Sequence, residues 1–315
     1  MWQWSLAVVG ACGAFALVWL VPGHTYDFVY DWLSAKAFLN GVNPYQTLDA
    51  LTEYFGLKND LEIIHPRIPG ALLILAPIGV IPFSMEYIAG RLLTVASALA
   101  LAWIFARLSR IRVWVSIALV PLALLLPPFS GVLSVSQTDF LVAGLIGLTL
   151  MLSRSEDRLA AGIPLGLAVT LKLWAWPLGL ALLLGQRRRA GTGVAATFLL
   201  LNAFGLAFPQ VSLEGTVDAL TNAWLFQEGR SVSVSAALGL SPFLLPALVM
   251  ILIAAAAWLR RNKSWELLYA YSVPLALMAA PVIWYTYTVS LLIPVAWLVS
   301  KRHSSLKPKP SRTRT

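Results

Sequence analysis

Charged side chains are scarce in this chain. Only 12% of its 315 residues are Asp, Glu, Lys or Arg, whereas a soluble domain carries about 25%. Hydrophobic residues make up 59%, which excludes an ordinary soluble protein. The apolar runs are continuous and rich in Leu and Ala, not the short alternating segments that β-barrel strands require. The composition therefore predicts an all-α, polytopic membrane protein.

Cysteine is almost absent as well. Cys12 lies inside the first apolar run, so a disulfide framework is excluded. That run lacks a basic n-region and a clear cleavage site, which favours a retained span over a signal peptide. Nucleotide-binding glycine loops, zinc-ligand spacings and the G-x-S-x-G elbow are also missing. His24 and Asp27 are too few ligands for a metal. We therefore expect no cofactor and no metal, and a chemistry based on carboxylates, cations and lipid substrates.

The net charge of +9 raises the question of a nucleic-acid partner. Most basic residues, however, fall in clusters that each adjoin an apolar run, as cytoplasmic loops of membrane proteins do. The partner that this pattern predicts is the lipid bilayer, and no nucleic acid. The clusters are Arg107/Arg110/Arg112, Arg154/Arg158, Arg187–Arg189, Arg260/Arg261/Lys263 and the tail from Lys301.

Run lengths predict about ten transmembrane spans in a single domain, 1–300, followed by a basic, disordered cytoplasmic tail, 301–315. The polar connections 23–67 and 209–235 are expected on the outer side, where they hold most of the acids. An odd number of crossings must separate the outer connection 23–67 from the basic cluster Arg107/Arg110/Arg112 if that cluster is cytoplasmic. The apolar runs do not give this number, so one segment between 68 and 152 is expected to be a half-span. The run 159–185 fits either one tilted span or two half-spans that meet at Lys172.

The first outer connection opens with an amphipathic pattern. Asp27 and Asp31 share one helical face, apolar residues share another, and Asn40-Gly41 supplies a stop. We expect a helix on the membrane surface, followed by a second one near 48–55. Asp27 directly follows the first span, where partial desolvation and the neighbouring Asp31 would raise its pKa towards that of a general base. Asp31 itself is either solvated or part of a pocket.

A few cations and one acid lie outside the cytoplasmic clusters. A lone charge as deep in an apolar run as Lys172 costs roughly 3 kcal/mol or more, so it needs a partner or an anionic lipid group. Arg67 and Arg230 border spans on the outer side and are either interfacial arginines or phosphate ligands. Asp139 either caps the helix that it begins or faces a cavity.

Several segments, taken in order, resemble glycosyltransferase family 87. They are D-F-V-Y from Asp27 with L-N-G-V-N-P-Y to Tyr45, H-P-R-I-P from His65, S-Q-T-D from Ser136, A-G-I-P-L-G-L-A from Ala161 with Lys172, G-R-S-V-S from Gly229, and A-P-V-I-W to Trp284. The resemblance implies a GT-C fold and transfer of a sugar, with mannose favoured over arabinose, from a polyprenyl-phosphate donor to a glycolipid or glycan acceptor.

The resemblance also implies a site. Asp27 would be the catalytic base, and Lys172, Arg230 and Arg67 would bind the donor phosphate. Further residues would line the substrate pocket: Tyr30, Asp31, Tyr45, His65, Gln137, Asp139, Trp284 and Tyr285. Rings expected to stack on sugars are those of Trp32, Tyr45, Trp224, Trp284 and Tyr285.

The chain departs from the family pattern at His65, Arg67, Ser136 and Asp139, and it has Tyr285 where the family often has a histidine. These departures alter pocket positions that bear on the choice of donor sugar and acceptor. The expected location is the plasma membrane, with the active site on the extracytoplasmic side. Two other functions remain open at this point: a flippase or transporter of lipid-linked sugars, and a non-catalytic subunit of a cell-envelope complex.

Overall fold

The computed structural model describes residues 2–23, 26–57, 67–218, 221, 244–259, 264–280 and 285–305. In these parts of the chain the regular elements are helices, and no strand occurs, as the composition predicts. The α-helices are α1 Trp2–Leu20, α2 Tyr26–Leu39, α3 Leu48–Tyr54, α4 Pro69–Leu75, α5 Glu86–Ser109, α6 Val113–Ala118, α7 Val120–Leu124, α8 Phe129–Val135, α9 Asp139–Ser155, α10 Leu159–Leu171, α11 Trp176–Leu184, α12 Arg188–Leu206, α13 Leu244–Leu259, α14 Trp265–Ala279 and α15 Leu292–Ser305.

Three of these helices are long and apolar enough to cross a bilayer: α1, the segment Phe83–Ser109 that contains α5, and α12. A fourth crossing results if α6–α7 and α8 are counted as one span bent by 70°. The other apolar helices among the described residues are shorter and include Pro69–Val80, Leu159–Leu171, Leu173–Leu184 and Pro246–Trp258. The structure thus has the character of a membrane protein, and its described residues contain three or four such spans, which does not confirm the ten that the run lengths predict.

Helices α5 and α9 run in the same direction. The start of α5 meets the start of α9 around Thr94 and Thr138, and further along Gly147 of α9 faces Ile104 and Leu108 of α5. Arg154 at the end of α9 donates a hydrogen bond to the carbonyl oxygen of Leu108. The basic clusters that end these two helices therefore lie at one end of the molecule.

Helices α10 and α11 form a hairpin with Lys172 at its apex. Gly162 and Gly166 of α10 pack against successive turns of α12, which makes α10 and α12 parallel. Helix α11 runs antiparallel to α12, since Gly179 faces Val194 whereas Leu183, further along α11, faces the earlier residue Gly191. Both ends of the hairpin therefore lie at the start of α12. Of the two interpretations of 159–185, the two half-spans are confirmed.

The segment around α4 also turns back. Pro69 packs against Gly205 near the end of α12, and two 3₁₀ turns, Ala76–Val80 and Phe83–Met85, lead the chain to the start of α5. The apolar segment 68–83 is therefore the half-span expected between 68 and 152. Neither this segment nor the α10–α11 hairpin is one continuous helix.

Helix α2 forms where it was predicted and ends before Gly41, whose φ of 71° suits glycine. Its packing differs from the prediction. Instead of lying open on the membrane surface, it is buried on nearly all sides, from Phe28 to Phe38, by α4, α5, α3 and the turn Ala76–Val80. The amphipathic pattern did not predict this burial, because it indicates that Asp31 faces solvent. In the structure Asp31 is instead paired with Arg67 inside the protein.

At the opposite end of the molecule, Glu266 joins three helices. Its carboxylate pairs with Arg154 of α9 at 3.3 Å and with Lys301 of α15 at 3.8 Å, and it accepts a hydrogen bond from the indole of Trp297. Helix α15 continues to Ser305, so the first part of the expected tail is helical. Residues 306–315 lie outside the described part of the chain.

Candidate functional site

Five breaks in the helical structure meet at the end of the molecule opposite Glu266. They are the start of α2 at Asp27, the segment before α4 at Arg67, the α8–α9 connection 136–139, the hairpin apex at Lys172, and the 3₁₀ segment Tyr285–Leu291. Backbone that leaves the helix exposes polar groups, and at membrane depth it is tolerated only in protein or around a cavity. The convergence of these breaks marks a candidate active site.

Lys172 has the partner that its depth requires. The chain leaves α10 in an extended conformation at this residue, so the side chain points away from the helix axis and its Nζ lies 2.5 Å from Oδ1 of Asp139. Both side chains are buried. Nζ also lies 4.0 Å from the ring centroid of Tyr287, in cation–π contact. Asp139 thus faces the site, and no side chain caps α9, whose N-cap residue is Thr138.

A second ion pair, formed by the buried Asp31 and the largely buried Arg67, lies beside the first. Arg67 Nε donates to Oδ1 of Asp31 at 2.5 Å, and Arg67 Nη1 donates to the carbonyl oxygen of Leu171, next to Lys172, at 3.4 Å. Burial by itself would lower the pKa of Arg67, but the charge and the hydrogen bond of Asp31, together with the charges of Tyr287 and Asp27, outweigh it and raise that pKa above its ordinary value. Arg67 therefore stays charged. Asp31, at 2% exposed, is a buried partner and not a solvated acid.

Asp27 joins this group of charges through space. Its side chain is partly exposed, and its charge acts on both Arg67 and Tyr287. The charges of Lys172, Asp139 and Arg67 also act on Tyr287. Tyr287 therefore lies within electrostatic range of both ion pairs and of Asp27. The structure brings together the predicted residues Asp27, Asp31, Arg67, Asp139 and Lys172.

Gln137 also lies at this site, in the α8–α9 connection. Its side-chain oxygen accepts a hydrogen bond from Thr286 at 2.6 Å. The preceding Ser136 adopts a left-handed conformation with φ 54°, which turns the chain sharply into α9. The connection is thereby fixed to the segment Tyr285–Leu291, which also carries Tyr287.

Two aromatic residues of the site, Trp174 and Tyr287, were not among the site residues predicted from the sequence. Trp174 follows Lys172 by two residues, and its ring stacks on that of Tyr287 with centroids 6.1 Å apart and an interplanar angle of 23°. The sequence did carry a signal, because an aromatic residue beside an intramembrane lysine is a candidate for cation–π contact.

Other predicted pocket residues have different surroundings. Tyr30 is buried in the apolar cluster of α2. Trp32 donates its indole N–H to the carbonyl oxygen of Ile81 at 2.8 Å and packs edge-on against Phe55, so it anchors α2 and offers no open ring. Tyr45 packs in a cluster near the other end of α2 with Phe38, Leu72 and Val211.

Burial raises the pKa of the Tyr45 hydroxyl, and the nearby Thr216 side chain offsets part of that rise. Four further predicted residues lie outside the described part of the chain: Arg230, His65, Trp224 and Trp284. The side chain of Tyr285 is likewise outside it, although its backbone begins the 3₁₀ segment.

Several buried polar atoms at the site have no hydrogen-bond partner among the described residues: Asp139 Oδ2, Ser136 Oγ, Thr138 Oγ1 and Trp174 Nε1. Buried polar groups are nearly always paired in native proteins, so each of these needs a partner other than the described residues. Ser136 and Thr138 line a crevice of about 10 Å³ beside Phe28 and Gly90, which is the size of one water molecule. Within the described ranges no cluster of three metal-ligating side chains occurs.

A second, much larger cavity of about 300 Å³ lies between α5 and the α6–α7 segment. Its walls are almost wholly apolar. It reaches from Ile111, beside the basic cluster at the end of α5, to Phe129 and Phe140, and Phe140 directly follows Asp139. The cavity therefore connects the neighbourhood of the site with the opposite end of the helices.

The fold and the site together define a multi-helical membrane protein with a buried, charged pocket built on broken helices, as is typical of enzymes and transporters that act on lipid-borne polar groups. The profile of glycosyltransferase family 87 matches residues 68–281, which is more than half of the chain. The chain belongs to this family and is therefore a glycosyltransferase.

The matched range includes Gln137, Asp139, Lys172 and Trp174, whereas Asp27, Asp31 and Arg67 precede it. Roles for those three residues accordingly depend on the geometry. Comparison with curated proteins gave no match, nor did comparison with solved structures.

Proposed function

We propose that this glycosyltransferase moves a sugar from a polyprenyl-phosphate donor to a hydroxyl of a glycolipid or glycan acceptor, with mannose as the first sugar to test. The observation that carries the proposal is the convergence of a partly exposed carboxylate, Asp27, with two cations, the largely buried Arg67 and the buried Lys172, around Tyr287. A glycosyl phosphate needs these two kinds of group: a base for the acceptor and cations for the leaving phosphate.

In the proposed reaction, Asp27 accepts the proton of the acceptor hydroxyl as its oxygen attacks the anomeric carbon. The bond between that carbon and the phosphate oxygen breaks on the opposite face, so the configuration inverts. The electron pair leaves with polyprenyl phosphate, whose new negative charge Lys172 and Arg67 stabilise. Arg230 is proposed as a third cation for this phosphate.

Both cations keep donors for a phosphate although each is already paired. The ammonium group of Lys172 has three N–H bonds, and Asp139 Oδ1 accepts from it at one oxygen. Arg67 uses Nε for Asp31 and Nη1 for Leu171, which leaves donors on Nη2. The carboxylates therefore hold the cations in place without exhausting them, and this positions the donors before the phosphate arrives.

Helix directions support the extracytoplasmic side for the proposed site, and the plasma membrane is the proposed location. α9 begins at Asp139 and ends beside Arg154, and α5 ends at the cluster that includes Arg107 and Arg110. Basic clusters mark the cytoplasmic side, so the pocket at the other end faces outwards. Lipid-borne donors can reach it from the outer leaflet.

The proposal is tested by incubating purified protein in lipid nanodiscs with labelled polyprenyl-phosphate mannose, polyprenyl-phosphate arabinose and a mixture of envelope glycolipids. We expect label in a new glycolipid from one of the two donors. Label that crosses the bilayer in proteoliposomes without forming a new glycosidic bond would instead support a flippase. Absence of transfer from every polyprenyl-phosphate sugar would contradict the proposal.

A further inference from the structure

Asp139 and Trp174 present two complementary buried groups that the catalytic steps above leave unused. Oδ1 of Asp139 binds Lys172, whereas Oδ2 is buried and has no partner among the described residues. The indole N–H of Trp174 is buried and equally without a described acceptor. One group needs a hydrogen-bond donor and the other an acceptor.

The two groups are linked through Lys172 and the ring of Tyr287. Lys172 holds Asp139 and lies over the ring of Tyr287 at 4.0 Å, and the Trp174 ring stacks on the same tyrosine. Lys172 and Trp174 are also only two residues apart in the apex of the hairpin. Lys172 and the ring of Tyr287 thus hold both groups in position, the unpaired acceptor on Asp139 and the unpaired donor on Trp174.

The chemistry of the missing ligand follows from this pair. A phosphodiester offers acceptors alone and would be repelled by the Asp139 carboxylate, and a hydrocarbon chain satisfies neither group. A hydroxyl group does both, because it donates one hydrogen bond and accepts another. Leaving either group unpaired in the bound state would cost binding free energy, so the site selects a ligand that carries a hydroxyl here.

We infer that Asp139 and Trp174 bind a hydroxyl of the donor sugar, and that this is the hydroxyl on the carbon next to the phosphate-bearing carbon. The inference depends on the proposed function, in which Lys172 binds the phosphate. Since Lys172 Nζ lies 2.5 Å from Asp139, a sugar whose phosphate contacts Lys172 places its adjacent hydroxyl at Asp139. Asp139 and Trp174 are then specificity-determining residues, and Lys172 both positions Asp139 and binds phosphate.

The test is equilibrium binding of polyprenyl-phosphate mannose and of its 2-deoxy analogue to wild type, Trp174→Phe and Asp139→Asn in nanodiscs. We expect wild type to bind the hydroxylated donor at least about tenfold more tightly. Trp174→Phe, which loses one neutral hydrogen bond, should reduce that preference roughly threefold to tenfold, and Asp139→Asn should reduce it further. Because Asp139 also positions Lys172, each variant is judged by the ratio of its affinities for the two donors and not by either affinity alone.

Trp297→Phe is the matched control, because it removes an indole N–H that bonds Glu266 at the far end of the molecule; its preference should equal that of wild type. If Trp174→Phe and Asp139→Asn weaken both donors alike, the two groups serve packing or a trapped water molecule and the inference is wrong. It is also wrong if wild type binds both donors equally. Binding without any transfer would contradict the proposed reaction but not the hydroxyl site.

Discussion

At the scale of single residues, the site is dominated by two buried ion pairs, Arg67–Asp31 and Lys172–Asp139. Removing two charges from water costs several kcal/mol per ion, and the attraction within the pair repays that cost only while both partners are present. Such pairs contribute little net stability. Their consequence here is that cations and carboxylates are held in fixed positions around Tyr287 before a substrate binds.

The Arg67–Asp31 pair yields a stability prediction. Arg67→Gln leaves the Asp31 carboxylate buried without its cation and should lower the free energy of unfolding by about 3–5 kcal/mol. The double variant Arg67→Gln/Asp31→Asn removes both charges and should recover most of that loss. Thermal unfolding in nanodiscs measures both.

A matched control for this cycle is Arg158→Gln. Arg158 pairs with Glu156 at 2.6 Å, but both side chains are about 60% exposed, so its loss should cost less than about 1 kcal/mol. Equal losses for Arg67→Gln and Arg158→Gln, or a double variant no more stable than Arg67→Gln alone, would contradict the buried pair.

A pH prediction follows from Tyr45. Burial raises the pKa of its hydroxyl above the ordinary value of 10.0, so the folded state disfavours the ionised form. The resulting contribution to stability is fully present below pH 10.0 and is lost as the pH rises through the raised pKa. The free energy of unfolding should therefore fall more steeply with rising pH across this alkaline range for wild type than for Tyr45→Phe. Tyr54→Phe, at an exposed position, is the control, and identical curves for wild type and Tyr45→Phe would refute the prediction.

At the scale of helices, residue patterns predicted most elements because apolar runs, turn residues and basic flanks are local signals. α2, α3 and the ends of α5, α9 and α12 lie close to their predicted positions. The burial of α2 and the return of 68–83 could not be read in the same way, since both depend on contacts between segments far apart in sequence, such as Asp31 with Arg67 and Pro69 with Gly205.

Glycines on α10 set how closely the hairpin approaches α12. A Cβ on Gly162 would overlap the carbonyl oxygen of Ala190, whereas on Gly144 it would lie 3.7 Å from its nearest neighbour, Ile104. Gly162→Ala should therefore destabilise the protein by about 1–3 kcal/mol and lower activity by displacing Lys172. Gly144→Ala should change neither. Unfolding and transfer assays on the two variants measure this, and equal effects would show that the contact is not close.

The α10–α11 hairpin predicts that both of its ends lie on the same side of the membrane, which cysteine labelling can test. In a Cys12→Ala background, single cysteines from Glu156→Cys and Arg188→Cys should react with a membrane-impermeant maleimide from the same, cytoplasmic side of oriented vesicles. A cysteine from Gln46→Cys should react from the other side. If 159–185 were one continuous span, the first two cysteines would label from opposite sides.

At the scale of the whole molecule, the sequence led to the right class because composition and ordered motifs are distributed over the entire chain. It also identified Asp139 and Lys172 as pocket candidates, since intramembrane charges are costly enough to stand out. It left unassigned which cation pairs with which carboxylate. It also missed Trp174 and Tyr287, whose roles depend on a hairpin and a 3₁₀ segment that bring positions 174 and 287 together.

The large apolar cavity between α5 and α6–α7 also appears only at this scale, because its lining comes from segments between Ala98 and Leu292. Its position beside Phe140 places apolar surface next to a polar site, an arrangement suited to substrates that combine a sugar phosphate with a hydrocarbon chain.

The central claim, that Asp27 is the base of a sugar transfer, is tested most directly by one pair of variants. Asp27→Asn and the exposed control Asp49→Asn are purified in nanodiscs, checked for equal thermal stability, and assayed for transfer from the donor that wild type uses. We predict that Asp27→Asn lowers kcat about a hundredfold to ten-thousandfold and that Asp49→Asn stays within about twofold of wild type. Full transfer by a normally folded Asp27→Asn protein would contradict the account.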